Sequence, residues 1–173
     1  MQIHLQKLNQ QMDQQLHLHE TIQIDSLQNE VSGLIDMKDV DVEAHIFKLD
    51  PHLIQVEAKQ SIVAKFTCSR CLKTFEHFIN MEWTEQFTDE ADRAQENEEQ
   101  EIHLIQGNVL DLTPYIREAV ILHIPYAPVC REDCKGLCPK CGIDQNEDSC
   151  QCETRSIDPR LAKLQDLLIN RDK

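Results

Sequence analysis

Ile62-Val-Ala-Lys-Phe-Thr-Cys-Ser-Arg-Cys-Leu-Lys-Thr-Phe75 is the stretch on which the fold turns. Apolar residues alternate up to Phe66, a Cys-x-x-Cys pair follows, and a second alternating run starts at Phe75. Alternation with period two marks a strand, and two thiolates separated by two residues can approach one metal ion from a single turn. The pattern predicts a β-hairpin whose tip, Cys68 to Cys71, is a metal knuckle flanked by Phe66 and Phe75.

Upstream, Leu16, Leu18, Ile22 and Ile24 share one strand face, as do Val40, Val42, Ala44 and Ile46. Separate strands are expected at residues 53–58 and 62–67, while Phe75, Ile79, Met81 and Trp83 mark one face of a longer one. Asp89 to Glu101 holds seven acids against one arginine, the composition of a solvated loop or an acidic contact. Residues 102–105 offer one more strand. From Asp111 to Pro125 the pattern is helical. Thr113 is expected to cap it, Pro114 suits its first turn, and Ile116, Ala119, Val120 and Ile124 form its apolar stripe. A last helix is predicted after Asp158-Pro159, with Leu161, Leu164 and Leu168 on one side.

These elements predict an α+β fold, mainly antiparallel sheet with a packed central helix, a small C-terminal zinc ribbon and a terminal helix. The expected organisation is a core over residues 1–129 with an acidic loop near 88–101, a zinc-binding ribbon over 130–153, and a helical segment over 154–173.

The other cysteines are Cys130, Cys134, Cys138, Cys141, Cys150 and Cys152, making eight in all. The opening residues hold no apolar core of signal-peptide length, and no stretch approaches the roughly 20 apolar residues of a membrane span. A cytoplasmic protein is expected, in which thiols stay reduced and such pairs serve metal or redox chemistry rather than static disulfides. Eight thiolates suit two tetrahedral Zn2+ sites. Cys138, Cys141, Cys150 and Cys152 close a short loop, with Gly142 suited to its turn, and leave Cys68, Cys71, Cys130 and Cys134 as the second set. A competing division would join Cys134 to the ribbon and free Cys150 or Cys152. The long interval between Cys71 and Cys130 costs on the order of 4 kcal/mol to close, and structural zinc supplies roughly 10–16 kcal/mol in small peptides.

Four thiolates fill a zinc coordination sphere, so the expected metals are structural and the protein is not expected to be an enzyme. His17 and His19 share a strand face without further ligands, and His103 and His123 lack an evident partner. Four glycines include no phosphate-binding loop. The formal charge of −14 argues against a surface given over to nucleic acid. Arg70, Lys73, Arg131, Lys135 and Lys140 beside the cysteines could still form a local RNA-binding patch, or merely offset thiolate charge.

Taken in order, Ile-x-Leu near the start, Cys68-Ser-Arg-Cys71-Leu72, Asp111-Leu-Thr-Pro-Tyr-Ile-Arg-Glu-Ala before Ile124-Pro125, Cys134-Lys-Gly-Leu-Cys-Pro-Lys-Cys-Gly142 and Asp158-Pro-Arg-Leu161 resemble the YceD family, the large ribosomal RNA subunit accumulation proteins. The resemblance implies a role in accumulating large-subunit ribosomal RNA, with no reaction attached. It also supports separating Cys68, Cys71, Cys130 and Cys134 from the later four. The expected partner is large-subunit rRNA or a basic ribosomal protein, with no membrane and no small-molecule substrate. The alternative is a redox-regulated zinc-binding holdase chaperone, although the order of its Cys-x-x-Cys and Cys-x-Cys pairs is the reverse of that in redox-regulated chaperones.

Overall fold

The computed structural model describes residues 1–153 except Met12, Ser26 and residues 97–100. The predicted terminal helix after Asp158 lies outside the described residues. Among the described residues the fold is mostly sheet with two α-helices, an α+β arrangement.

Its axis is β5 (Leu53–Thr67), a single strand of 15 residues where two shorter ones were expected. Lys59, Gln60 and Ser61 interrupt the hydrophobic text but contain neither glycine nor proline, so nothing breaks the extended backbone. Gln60 keeps the alternation by pointing inward, where it is 3% exposed. β5 pairs along its whole length with β6 (Thr74–Thr88), antiparallel, with Phe66 opposite Phe75. On its other edge β4 (Val40–Asp50) covers the first part and β3 (Leu34–Met37) the last.

β2 (Gln15–Ile22) extends the sheet beyond β4. On the far side β8 (Glu101–Leu104) joins β6 in parallel, and the two-residue β7 (Gln95–Glu96) pairs with β8. Gln95, Glu96 and Glu101 of the acidic run thus lie in paired strands. Arg93, its one cation, forms a two-pronged pair with Asp50 at 3.0 and 2.6 Å.

One sheet face is apolar, carrying Val40, Val42, Ala44 and Ile46 of β4 beside Val56, Ala58, Ile62 and Ala64 of β5. Covering it are β1 (Gln2–His4) paired with β9 (Val109–Asp111), α1 (Leu5–Gln10) and α2 (Thr113–His123). α2 buries Ile116, Ala119 and Val120, and full burial of an Ile or Val side chain contributes roughly 1.5–3 kcal/mol. Gln60 pins the helix: its Nε2 donates to the Ile116 carbonyl at 3.0 Å, and its Oε1 accepts from Trp83 Nε1 at 3.1 Å.

Thr113 does not cap α2. Leu112 occupies the cap position without a side-chain bond, the Thr113 N–H donates to Asp111 Oδ1 at 2.9 Å, and Thr113 Oγ1 accepts from the Met1 ammonium at 2.8 Å. Among the described residues, no helix is long and apolar enough to cross a membrane.

Candidate metal centres

At the end of the β5–β6 hairpin the chain turns through Cys68 to Lys73. The Cys68 N–H donates to the Lys73 carbonyl at 2.8 Å and the Leu72 N–H to the Cys68 carbonyl at 3.0 Å. Closing this turn puts Leu72 in the left-handed region at φ +61°. Residues after α2 run alongside, with the Ser69 N–H bonded to the Pro128 carbonyl at 2.8 Å. That contact brings Cys130 and Cys134 to the knuckle.

The second cluster repeats the turn. Cys138 N–H donates to the Ile143 carbonyl at 2.8 Å, Gly142 N–H donates to the Cys138 carbonyl at 2.9 Å, and Gly142 takes the left-handed conformation at φ +75°. Glycine adopts it without the steric penalty that leucine meets at the first turn.

Cys68, Cys71, Cys130 and Cys134 form one group of sulfurs and Cys138, Cys141, Cys150 and Cys152 another, each within 4.8 Å of one another. These are the two sets separated from the spacing, and the competing division of the cysteines is not the one adopted. Cys68 Sγ stands 3.9 Å from Cys134 Sγ, and Cys71 Sγ 3.7 Å from Cys130 Sγ. Around a tetrahedral ion with metal–sulfur bonds of about 2.3 Å, neighbouring sulfurs lie about 3.8 Å apart. A disulfide needs roughly 2.05 Å. The spacing therefore fits a bridging metal.

Electrostatics favour the same reading. Burial opposes a thiolate at Cys68, but the N–H groups around it outweigh burial and bring the thiol down to about 6. Arg70 N–H and Cys130 N–H each donate to its sulfur at 3.4 Å. Burial and the neighbouring Cys71 sulfur push Cys130 up to about 12. In the second cluster, the N–H groups of Cys141 and Lys140 bring Cys138 down to about 6, while the Cys141 sulfur and burial push Cys152 up to about 12. Each group thus stabilises one negative sulfur and resists a second. A cation held at its centre removes that conflict.

The clusters are fastened together. Arg70 Nη1 donates to the carbonyls of Glu132 at 3.1 Å and Cys134 at 2.9 Å, and the Arg70 carbonyl accepts Leu137 N–H at 3.0 Å. Lys73 Nζ lies 2.9 Å from Asp144 Oδ2 and also contacts Glu147. Asn146, from the second cluster's loop, reaches into the first: its Nδ2 donates to Cys134 Sγ at 3.6 Å, and its Oδ1 accepts Arg131 Nη2 at 2.9 Å and Lys135 N–H at 2.8 Å.

Of the basic residues named from the sequence, Arg70, Lys73 and Arg131 are thus paired within the chain while staying at its surface. Lys135 and Lys140 lie exposed on the same end. Asp144, Asn146 and Glu147 are the partners that sequence reasoning missed; their signal was a polar run immediately after a Cys-x-x-Cys turn.

Among the described residues no histidine joins either sulfur group. His17 stacks on His45 with centroids 4.0 Å apart, and His19 pairs with Asp41 at 2.8 Å. His103, expected to lack partners, has carboxylates on both sides, Glu85 at 2.9 Å and Glu101 at 3.3 Å. The parallel β6–β8 pairing brings them together, which strand alternation alone does not reveal.

A family model described as large ribosomal RNA subunit accumulation protein YceD matches residues 56–168, from β5 through both sulfur clusters. An uncharacterized protein of Mycobacterium tuberculosis is 37% identical over 102 residues, covering 58% of this chain and 49% of the relative. The uncharacterized protein YlbN of Bacillus subtilis is 34% identical over 77 residues, covering 44% of this chain and 45% of the relative. A chloroplastic protein of Arabidopsis thaliana named large ribosomal RNA subunit accumulation protein YCED homolog 1 is 34% identical over 58 residues, covering 34% of this chain and 18% of the relative. The chain spans about half the length of the first two and less of the third. No solved structure gave a significant match.

Proposed function

The chain belongs to the YceD family of large ribosomal RNA subunit accumulation proteins, and from that premise we propose that it is a non-enzymatic factor supporting large-subunit rRNA accumulation and assembly of the large ribosomal subunit. In this reading both sulfur clusters hold structural Zn2+, one ion each. Four cysteines per ion would leave no coordination position for water or substrate. The metals would then fix the hairpin tip to the chain leaving α2, and the later loop to both.

The contact we favour is with a basic ribosomal protein. The observation that carries this choice is the distribution of charge: Arg70, Lys73 and Arg131, though at the surface, are each paired within the chain. By contrast, the outward face of the sheet is open and acidic. Asp41, Glu43, Glu57 and Glu82 surround Lys59 there, lining two depressions of about 530 and 380 Å³. A dense array of carboxylates attracts a basic polypeptide and repels a phosphate backbone.

The test is co-sedimentation of the metal-loaded chain with large-subunit precursors, followed by crosslinking. Metal analysis should return two zinc ions per chain, and crosslinks should join the acidic face to basic ribosomal proteins. Crosslinks confined to rRNA at Lys135 and Lys140, with binding abolished by Lys135→Glu, would replace the protein contact with a nucleic-acid one. No association with precursors at all would sink the assembly reading.

A further inference from the structure

Where α2 crosses β6 a cavity of about 100 Å³ remains, lined by Trp83, Tyr115, Leu122, Glu85, Glu118 and His123, whose Nδ1 donates to the Ala119 carbonyl at 2.8 Å. The Trp83 and Tyr115 rings stand 6.3 Å apart between centroids and 31° from parallel. Each is held in place. Trp83 Nε1 donates to buried Gln60, and Tyr115 packs edge-on against Phe87 at 5.0 Å.

Carboxylates border these rings. Glu85 is bonded to His103 at 2.9 Å. Glu118 is exposed on α2 and has no partner among the described residues. Burial, then the charges of Glu85, Glu101 and Glu118, raise the Tyr115 hydroxyl above its ordinary value, so all three acids act on the same spot. Leu122, which lines the cavity, is 73% exposed.

Fixed aromatic faces carry negative charge at their centres and attract cations, and nearby carboxylates strengthen that attraction. Leu122 offers an apolar rest for an aliphatic stem. Anionic ligands are disfavoured by the same acids, which sets the cavity apart from a base-stacking platform for RNA, where basic residues accompany the rings.

We propose that this cavity binds a lysine or arginine side chain of a separate basic protein, the cation resting on Trp83 and Tyr115 between Glu85 and Glu118. The assignment deepens the reading of a basic ribosomal partner and rests on it for the identity of the protein that supplies the cation.

Trp83 is the sole tryptophan in the chain and lines both this cavity and the 380 Å³ depression, so its fluorescence reports binding and the Glu118 variant assigns it to the cavity. The metal-loaded full chain would be titrated with a short peptide of alternating arginine and alanine, with a glutamate–alanine peptide, and with oligouridylate. Only the arginine peptide should change Trp83 emission saturably. Glu118→Gln should weaken that binding about threefold to tenfold, and Glu132→Gln, an exposed acid beside the metal centres, should leave it unchanged. Equal affinity in Glu118→Gln and the parent chain, no saturable response, or competition by oligouridylate would overturn the proposal. If the chain co-sediments with precursors but the peptide leaves Trp83 unaffected, the cavity assignment alone fails. Glu118-dependent peptide binding without co-sedimentation would uphold the cation site and reject the ribosomal reading.

Discussion

Gly136→Ala and Gly142→Ala make a matched pair that measures how firmly the two sulfur clusters are joined. Both glycines are left-handed, at φ +77° and +75°, so alanine costs about 1–2 kcal/mol at either position. Around Gly142 there is open space, and the cost should stop there. At Gly136 an added Cβ would stand 2.9 Å from the Arg70 carbonyl oxygen and 3.2 Å from Arg70 Cβ. That oxygen accepts Leu137 N–H, so the new methyl pushes apart the strands of chain that link the clusters. Overpacking of this kind adds about 1–3 kcal/mol, which makes Gly136→Ala roughly twice as damaging as Gly142→Ala.

With both clusters metal-loaded as proposed, cadmium-substituted protein would give one NMR resonance per tetrathiolate site, and a chelator titration would then show which ion leaves first. Gly142→Ala should release the ion of the second cluster earlier and leave the first close to parent behaviour. Gly136→Ala should weaken both together and lower Tm further. Equal losses of Tm, or a Gly136→Ala protein that loses only one ion early, would refute coupling through the Arg70 contact.

Three further outcomes follow from other parts of the fold. Gln60→Leu should destabilise the protein by about 1–3 kcal/mol, because the partly buried Trp83 N–H loses its acceptor; urea unfolding followed by Trp83 fluorescence measures it. Leu72→Gly should be neutral to stabilising by up to about 1 kcal/mol, relief of the left-handed strain being offset by the greater freedom of unfolded glycine; a scan of Tm checks the sign. Arg93 and the His52 N–H hold the Asp50 carboxyl down from 3.8 to about 2. The Asp50–Arg93 pair thus contributes its full stability above about pH 3.8 and loses it as pH falls toward 2. Arg93→Gln should move the Asp50 titration, followed by its carboxyl carbon shift, back up toward the ordinary value.

Alternation was sufficient to read the hairpin, because each inward residue from Ile54 to Phe66 is buried and each cysteine of the knuckle lies just beyond the paired strands. α2 was legible for a similar reason: its stripe of Ile116, Ala119 and Val120 is the face that meets the sheet. β3 and β1 escaped notice since three or four residues are too few to show a period, and both owe their form to the strands they pair with. Spacing also separated the cysteines into their two groups. It could not show that Asn146 donates to a sulfur of the other group, or that Lys73 reaches Asp144, because those contacts depend on how one turn rests on another.

The first cluster spans a gap that matters during synthesis on the ribosome. Cys68 and Cys71 emerge about 60 residues before Cys130, which at typical elongation rates is about 3–12 s. For that interval the knuckle has half the cysteines of its cluster, and an ion taken up there would have two open positions. The backbone bonds closing the turn at Leu72 and Lys73 draw only on nearby residues, so the half-site can be shaped before its remaining ligands exist. The second cluster has no such wait, since its four cysteines emerge within 15 residues of one another. If the clusters hold zinc as proposed, metal supply while the chain is being made would therefore bear chiefly on the earlier site, and a newly made chain short of metal should be caught with its hairpin formed and the stretch from Cys130 to Cys134 undocked.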